Sequence, residues 1–269
     1  MGSVKNTCMC TYLEDSLMDR DAVLALFDEA MRADPAGEAA ARSAWAGDVL
    51  RRGGPLNYIE WWTLDEASAP AAVAREAAHF RELKEPVEWK VYGHDRPAGL
   101  TDELARAGFA PDPVETFMAF DLADGTPQAP PPAPGLEIRQ VSDLAELADF
   151  TQVGALAFGL QTWRPLGFET RLADPTLALY VAYLDGEPAA SGRLDLPPGR
   201  PFAGLYGGGV APAFRGLGIY RALVAARAEV ARRAGYRYLT VDAADTSRPI
   251  LHRLGFEALT TVQGWVLGG

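Results

Sequence analysis

Soft metal ligands are scarce in this chain: 269 residues contain only two cysteines, Cys8 and Cys10, and three histidines, His79, His94 and His252. The cysteines sit two apart near the start with no third and fourth ligand grouped beside them, and the histidines are isolated from one another. Neither a zinc site nor a disulfide framework is therefore expected, and no metal is assigned. Apolar runs of about 18 residues, long enough to span a bilayer, are also missing. The opening "MGSVKNTCMCTYLEDSL" lacks the apolar core and small-residue cleavage site of a secretory signal. These absences lead to the expectation of a cytoplasmic protein with no membrane partner. Positive charge is in deficit as well, 25 Lys and Arg against 36 Asp and Glu for a net charge of −11, which argues against nucleic acid as a partner. The two basic clusters, "RRGG" at 51–54 and "RRAGYR" at 232–237, read as solvated helix ends where arginine offsets the negative end of the dipole.

What remains is an ordinary globular composition, 48% hydrophobic and 23% charged, in a chain longer than the usual single domain of about 100–150 residues. Two units are expected. The clearest boundary is "ADGTPQAPPPAPG" at 123–135, where consecutive prolines remove backbone donors and favour a semi-rigid extended chain. It divides the protein into a first domain at 1–122, a Pro-rich linker at 123–134 and a second domain at 135–269.

The second half reads as strand "LEIRQV", a helix from Ser142, as N-cap, to about Phe158, and a hairpin of "TLALYVAYL" and "PAASGRLDL" turning at "DGE". Then come strand "FAGLYGGGV", a helix from Tyr220 to Arg233 stopped by Gly235, strand "YRYLTVDA", a short helix "SRPILHRLG" capped by Ser247, and strand "LTTVQGWVL". The first half shows helical patterns over 20–51, then strand "YIEWWTL", helix "PAAVAREAAHFREL", strand "PVEWKVYG", helix "LTDELARAGF" and strand "ETFMAFDL". "ARAGFAP" and "HRLGFEA", each followed by a strand, suggest a duplicated architecture whose first copy has lost its glycine-rich segment. The fold class is α/β (α+β): a mixed, mostly antiparallel sheet flanked by helices, with a second, degenerate domain of the same kind.

The chemistry concentrates in "GGGVAPAFRGLGIYRAL", where a strand ends and a helix begins. The first amides of a helix have no intrahelical acceptor and carry partial positive charge, so they suit a pyrophosphate. Gly216 and Gly218 let the backbone approach phosphate oxygens, while Arg215 either adds a charged contact or holds the loop. No Lys-Ser/Thr pair follows, and the three-glycine dinucleotide spacing is absent, so neither of those phosphate motifs applies.

"VAPAFRGLGIYRAL" resembles the acyl-CoA-binding motif of the GNAT superfamily of N-acetyltransferases, V-x-P-x-x-R-G-x-G-I-G/A-x-A-L, and "SRPILHRLGF" resembles that family's second motif, A-x-x-L-Y-x-K-x-G-F. The resemblance covers roughly residues 135–269. It implies that Val210 offers backbone bonds to the pantetheine arm, that Gly208 and Gly209 place amides near the thioester carbonyl, and that Arg215, Gly216, Leu217, Gly218, Ile219 and Tyr220 surround the diphosphate of acetyl-CoA or another acyl-CoA. Two positions depart from the family pattern: Tyr220 stands where Gly or Ala is usual, with its phenol expected to contact the cofactor, and Leu251 stands where many members have the tyrosine that protonates the departing thiolate.

Acyl transfer to an amine needs an unprotonated nucleophile, a polarised carbonyl and a proton for sulfur. Asp195 and Glu88 are the candidate bases, and Ser247, His252 and Tyr206 the nearest proton donors. Trp61, Trp62, Trp89 and Trp163, with Tyr206, are candidates to wall an acceptor cleft between the halves. The expected activity is N-acyl transfer to a small-molecule amine by direct attack, with self-association into a homodimer left open. Rival readings are a non-catalytic acyl-CoA sensor or scaffold, and an aminoacyl-tRNA-dependent acyltransferase on the same fold.

Overall fold

The computed structural model describes residues 18–34, 43–53, 57–129, 131–160 and 167–268. In chain order the elements are α1 (Arg20–Phe27), β1 (Ser43–Ala46), β2 (Val49–Arg52), β3 (Asn57–Trp62), α2 (Ala69–Leu83), β4 (Val87–Tyr92), α3 (Leu100–Arg106), β5 (Ala110–Pro111) and β6 (Glu115–Asp121). After the proline-rich segment come β7 (Leu136–Gln140), α4 (Leu144–Phe158), β8 (Leu177–Leu184), β9 (Glu187–Asp195), β10 (Phe202–Val210), α5 (Ile219–Arg233), β11 (Tyr238–Ala243), α6 (Arg248–Arg253) and β12 (Glu257–Leu267).

Three local expectations are corrected. Of the helical pattern over 20–51, the described residues form α1 and a π turn at Asp28–Arg32, whereas β1 and β2 form a hairpin around Gly47, whose φ of 64° suits the reversal. The cap of α4 is Asp143, which accepts from the amides of Ala145 and Glu146 at 2.9 Å each; Ser142 instead donates to Glu146. "RRGG" is not a helix end: Arg51 lies on β2 against the buried Glu76 at 2.5 Å, and Arg52 is buried against the carbonyls of Met31 and Arg32. The other basic cluster does sit at a helix end, where Arg232 and Arg233 at the close of α5 pair with Glu229. The "DGE" hairpin turns as its sequence requires, with Asp185 and Gly186 both at positive φ.

All the strands join one mixed sheet in the order β1-β2-β3-β4-β12-β6-β11-β10-β9-β8-β7, with β5 beside β12. The halves repeat one plan. β3 runs parallel to β4 across α2, and β10 runs parallel to β11 across α5; the other pairings are antiparallel. The short similarity between the halves is also structural: Gly108 and Gly255 close α3 and α6 at φ 90° and 92°. Phe109 donates to the Leu104 carbonyl and Phe256 to the Leu251 carbonyl, at 3.0 and 3.1 Å, the same helix stop twice. The last strands of the two halves are exchanged, however, with β12 entering between β4 and β6, and β6 lying between β12 and β11.

Strand alternation sorts the side chains into two layers. On one face α1 packs on Tyr92, Phe117, Phe202 and Val262, and α4 packs on Leu177, Leu179 and Val181. On the other, α5 and α6 cover Leu194, Leu205, Leu239 and Val241, while α2 and α3 cover Val87, Trp89, Trp265 and Leu267.

Candidate active site

The sheet opens at its centre. β10 and β11 pair in register from Phe202–Tyr238 to Leu205–Val241 and no farther. Beyond that point β10 carries a bulge between Tyr206 and Gly209, with Gly207 at φ 54°, and stays with β9, while β11 stays with β6. A bulge bends a strand and increases its twist, so the two strands part and leave a slot through the sheet. The glycines next to it are demanded by close approaches. A Cβ at Gly209 would lie 2.7 Å from Ala157 of α4, and one at Gly208 would lie 3.2 Å from Arg227 and 3.3 Å from the ring of Tyr220.

On the α5 face the slot meets the start of that helix. Gly216 and Gly218 hold φ of 82° and 80°, and no side chain caps the helix. Its first amide with a main-chain acceptor is that of Ala222, on Gly218 O at 3.2 Å, so the amides from Gly216 to Arg221 find no main-chain acceptor among the described residues. A Cβ at Gly216 would project into open space. These features fit an anionic diphosphate. Arg215 holds the loop, with Nε on the Val210 carbonyl at 3.2 Å and Nη2 on the Ala157 carbonyl at 3.1 Å. The Val210 carbonyl, expected to serve pantetheine, thus already has a donor. The cation lying over the glycines is Arg221, whose Nη2 would be 3.4 Å from a Cβ on Gly218. Sequence reading missed it because it stands at an unspecified position of the motif, between Tyr220 and Ala222. Leu217 is exposed at the loop tip, Ile219 is buried beneath it, and Tyr220 turns inward against Gly208.

The α1 face carries the opposite charge. A cavity of about 510 Å³ is lined by Glu88 and Lys90 of β4, Asp112, Glu115 of β6, Asp242 of β11 and Asp245. Lys90 is bonded to Asp242 at 2.5 Å, and Asp245 is within 3.4 Å of Arg248. Among the described residues Glu88, Asp112 and Glu115 have no ion-pair partner. Glu88 and Asp112 converge over Gly264, where a Cβ would come within 2.8 and 3.1 Å of their oxygens. Burial first, then the surrounding carboxylates of Asp242, Glu88 and Asp112, push Glu115 up to about 7. Glu88 is raised by burial and, despite Lys90, by Asp112 and Asp242. For Lys90, burial disfavours the charge, but Asp242 outweighs it and holds the ammonium well above its usual range. A carboxyl that ionises near neutrality suits general base work.

The sequence-predicted residues divide between these places. Glu88 lines the cavity. Asp195 lies on the same face across the slot, ion-paired with Arg193 at 2.9 Å, and Arg193 in turn lies 4.4 Å beneath the partly exposed ring of Tyr206 at the slot edge. Ser247 does not cap α6: its hydroxyl donates to the Ala244 carbonyl at 3.1 Å. Trp89 walls no cleft, because its side points to the α2 face and it is fully buried against Trp62 and Phe109. Trp61 and Trp62 flank the buried guanidinium of Arg32. His252 is on the surface of α6. Trp163, Cys8 and Cys10 lie outside the described residues. Lys90, Asp112, Glu115 and Asp242 were missed. Each is an ordinary polar residue in its own segment, and only the exchange of β6 and β12 brings them together.

Free amides at a helix start and a split between parallel strands are joined here to the two sequence motifs, and the acetyltransferase (GNAT) family model matches residues 143–256. Residues 143–256 form a GNAT acetyltransferase domain. Similar solved structures include a GCN5-related N-acetyltransferase from Kribbella flavida, with a TM-score of 0.67 and 17% identity over 93% of this chain and 95% of that one. Another from Sphaerobacter thermophilus has a TM-score of 0.61 and 14% identity over 82% and 76%. A tandem GNAT protein from the clavulanic acid biosynthesis pathway has a TM-score of 0.56 and 17% identity over 84% and 81%. At such identities the likeness concerns the fold, and it extends over both halves. No curated protein matches this chain significantly. No helix among the described residues is long and apolar enough to cross a membrane.

The first GNAT-like half has filled its own cradle. At the corresponding junction, between β3 and α2, Asp65 Oδ1 accepts from the amides of Ala67 and Ser68 at 3.1 and 2.8 Å and from the Ser68 hydroxyl at 2.7 Å. A carboxylate thus occupies the amides that α5 leaves free, and the Ser68 bond holds it below the usual carboxylate range.

Proposed function

We propose that this protein transfers an acetyl group from acetyl-CoA to an amine of a small molecule bearing two or more ammonium groups, such as a polyamine or amino sugar. The observation that carries the reading is the slot between β10 and β11, which has an unsatisfied amide cradle on one face and an acidic cavity on the other. The amides from Gly216 to Tyr220, together with Arg221, would hold the diphosphate, and acetyl-CoA when bound supplies the thioester. A molecule with a single amine gives up its charge on becoming a nucleophile. One with further ammonium groups keeps cations to pair with Glu88 and Asp112 while its reacting nitrogen loses a proton to Glu115. Direct attack then needs no covalent enzyme intermediate.

Calorimetry with acetyl-CoA and free CoA, followed by thiol release with hexylamine, cadaverine and spermidine, tests this. Binding of acetyl-CoA and turnover that rises with the number of amines are expected. Absence of acetyl-CoA binding would sink the reading, and equal turnover across the three amines would sink the acceptor class. The sensor reading, favoured by the fully buried Leu251 in place of a tyrosine, requires binding with no turnover on any amine.

A further inference from the structure

A leaving thiolate needs a proton, and position 251 has none to give: Leu251 is an apolar side chain sealed in the core. The slot nevertheless has a hydroxyl at this level. Tyr220, in the first turn of α5, folds under β10 so that its ring edge would lie 3.3 Å from a Cβ on Gly208, where the Arg227 guanidinium would lie 3.2 Å from the same Cβ. It therefore reaches from α5 to β10 at the place where β10 and β11 part.

Behind it stands a cation with no carboxylate partner among the described residues. Arg227, two turns farther along α5, is 1% exposed. Its Nε donates to the Leu223 carbonyl at 3.1 Å and its Nη1 to the Arg193 carbonyl at 2.9 Å. Gly192 and Gly208 make room for it, since a Cβ would come within 2.7 and 3.2 Å of the guanidinium. Burial holds its pKa down to about 10, and the nearby phenols of Tyr220 and Tyr180 oppose that shift only in part. An uncompensated buried charge is costly, and here its field falls on the Tyr220 phenol. Burial raises that phenol, while Arg227 and Ser247 act in the opposite sense.

We propose that Tyr220 is the proton donor to the departing thiolate, with Arg227 as the positioning residue that favours its ionised form. The inference rests on the acyl-transfer reading above. The amine forms the C–N bond as the C–S bond breaks, the amine proton leaves through the acidic cavity to water, the Tyr220 phenol gives its proton to sulfur, and the phenolate regains one from water.

The test is Tyr220→Phe, read in two ways. Thiol release from acetyl-CoA with spermidine should fall by about a hundredfold. By calorimetry the wild-type protein should bind CoA more tightly than desulfo-CoA, and Tyr220→Phe should bind the two equally, with desulfo-CoA affinity unchanged. Equal loss of both ligands marks a merely structural side chain and overturns the proposal, as does unchanged turnover. Should the wild-type protein release no thiol with spermidine, the comparison of CoA with desulfo-CoA decides alone. Arg227→Gln should move the alkaline limb of the pH–rate profile upward, and Arg227→Lys should restore it; a limb that stays in place removes Arg227 from the proposal. Failure of the wild-type protein to bind acetyl-CoA overturns the underlying function, whereas intact binding with an indifferent Tyr220→Phe overturns only this step.

Discussion

Glu115 shows how far a single residue's chemistry depends on its neighbours. In the sequence it is the polar first residue of a strand, and in the fold it is a half-buried carboxyl facing Asp242, Glu88 and Asp112. Because its pKa rises from 4.5 to about 7, the folded state binds this proton more tightly than the unfolded chain. The stabilisation is full below the unfolded pKa and disappears as pH rises through about 7. Melting temperature is therefore expected to fall between about pH 5 and pH 8, and Glu115→Gln should flatten that fall. A variant whose melting temperature keeps the wild-type pH slope would show that the carboxyl is not held protonated. Nothing local in "PVETFMAF" marks this residue, because its acidity is set by β4 and β11, which are remote in sequence.

At the scale of elements, one junction decides binding competence twice. Strand, turn and helix recur at β3–α2 and β10–α5, but the first turn supplies Asp65 to its own amides and the second supplies Gly216 and Gly218. One acetyl-CoA per chain is expected, and calorimetry should return a stoichiometry near one. Asp65→Ala should not create a second site, because α2 lacks the left-handed glycines that open the loop; a stoichiometry of two in either protein would refute this. Most of these elements were legible from turn chemistry and apolar spacing, including the Asp185-Gly186 hairpin and the Gly235 helix stop. The β1–β2 hairpin was not, because "ARSAWAGDVL" is rich in helix formers and only its pairing with β3 settles the competition.

The whole molecule is bound by an exchange of strands. β6 pairs with β11 over Tyr238–Ala243 and with β12, while β12 also pairs with β4 over Val87–Tyr92. Neither half has a complete sheet without a strand from the other. Thermal unfolding is accordingly expected to be a single transition with matching calorimetric and van't Hoff enthalpies. Residues 135–269 expressed alone should be poorly folded, since β11 and β12 would lose the strand between them. A stably folded fragment with sharp dispersed amide resonances would contradict this. Saturating acetyl-CoA should raise the melting temperature of the intact chain, by about 2.7 kcal/mol of stability at a hundredfold excess over Kd.

The sequence by itself determined the glycine-rich strand-to-helix junction, the duplicated plan and the departures at Tyr220 and Leu251. Glycine conformations, helix starts and motif spacings are local properties that a few consecutive residues settle. Only the tertiary structure decided that Trp89 belongs to the core, that Arg221 rather than Arg215 lies over the cradle, and that Glu88, Asp112, Glu115 and Asp242 share one cavity. Those outcomes depend on which strands become neighbours, and the strand exchange places residues more than a hundred positions apart within one site.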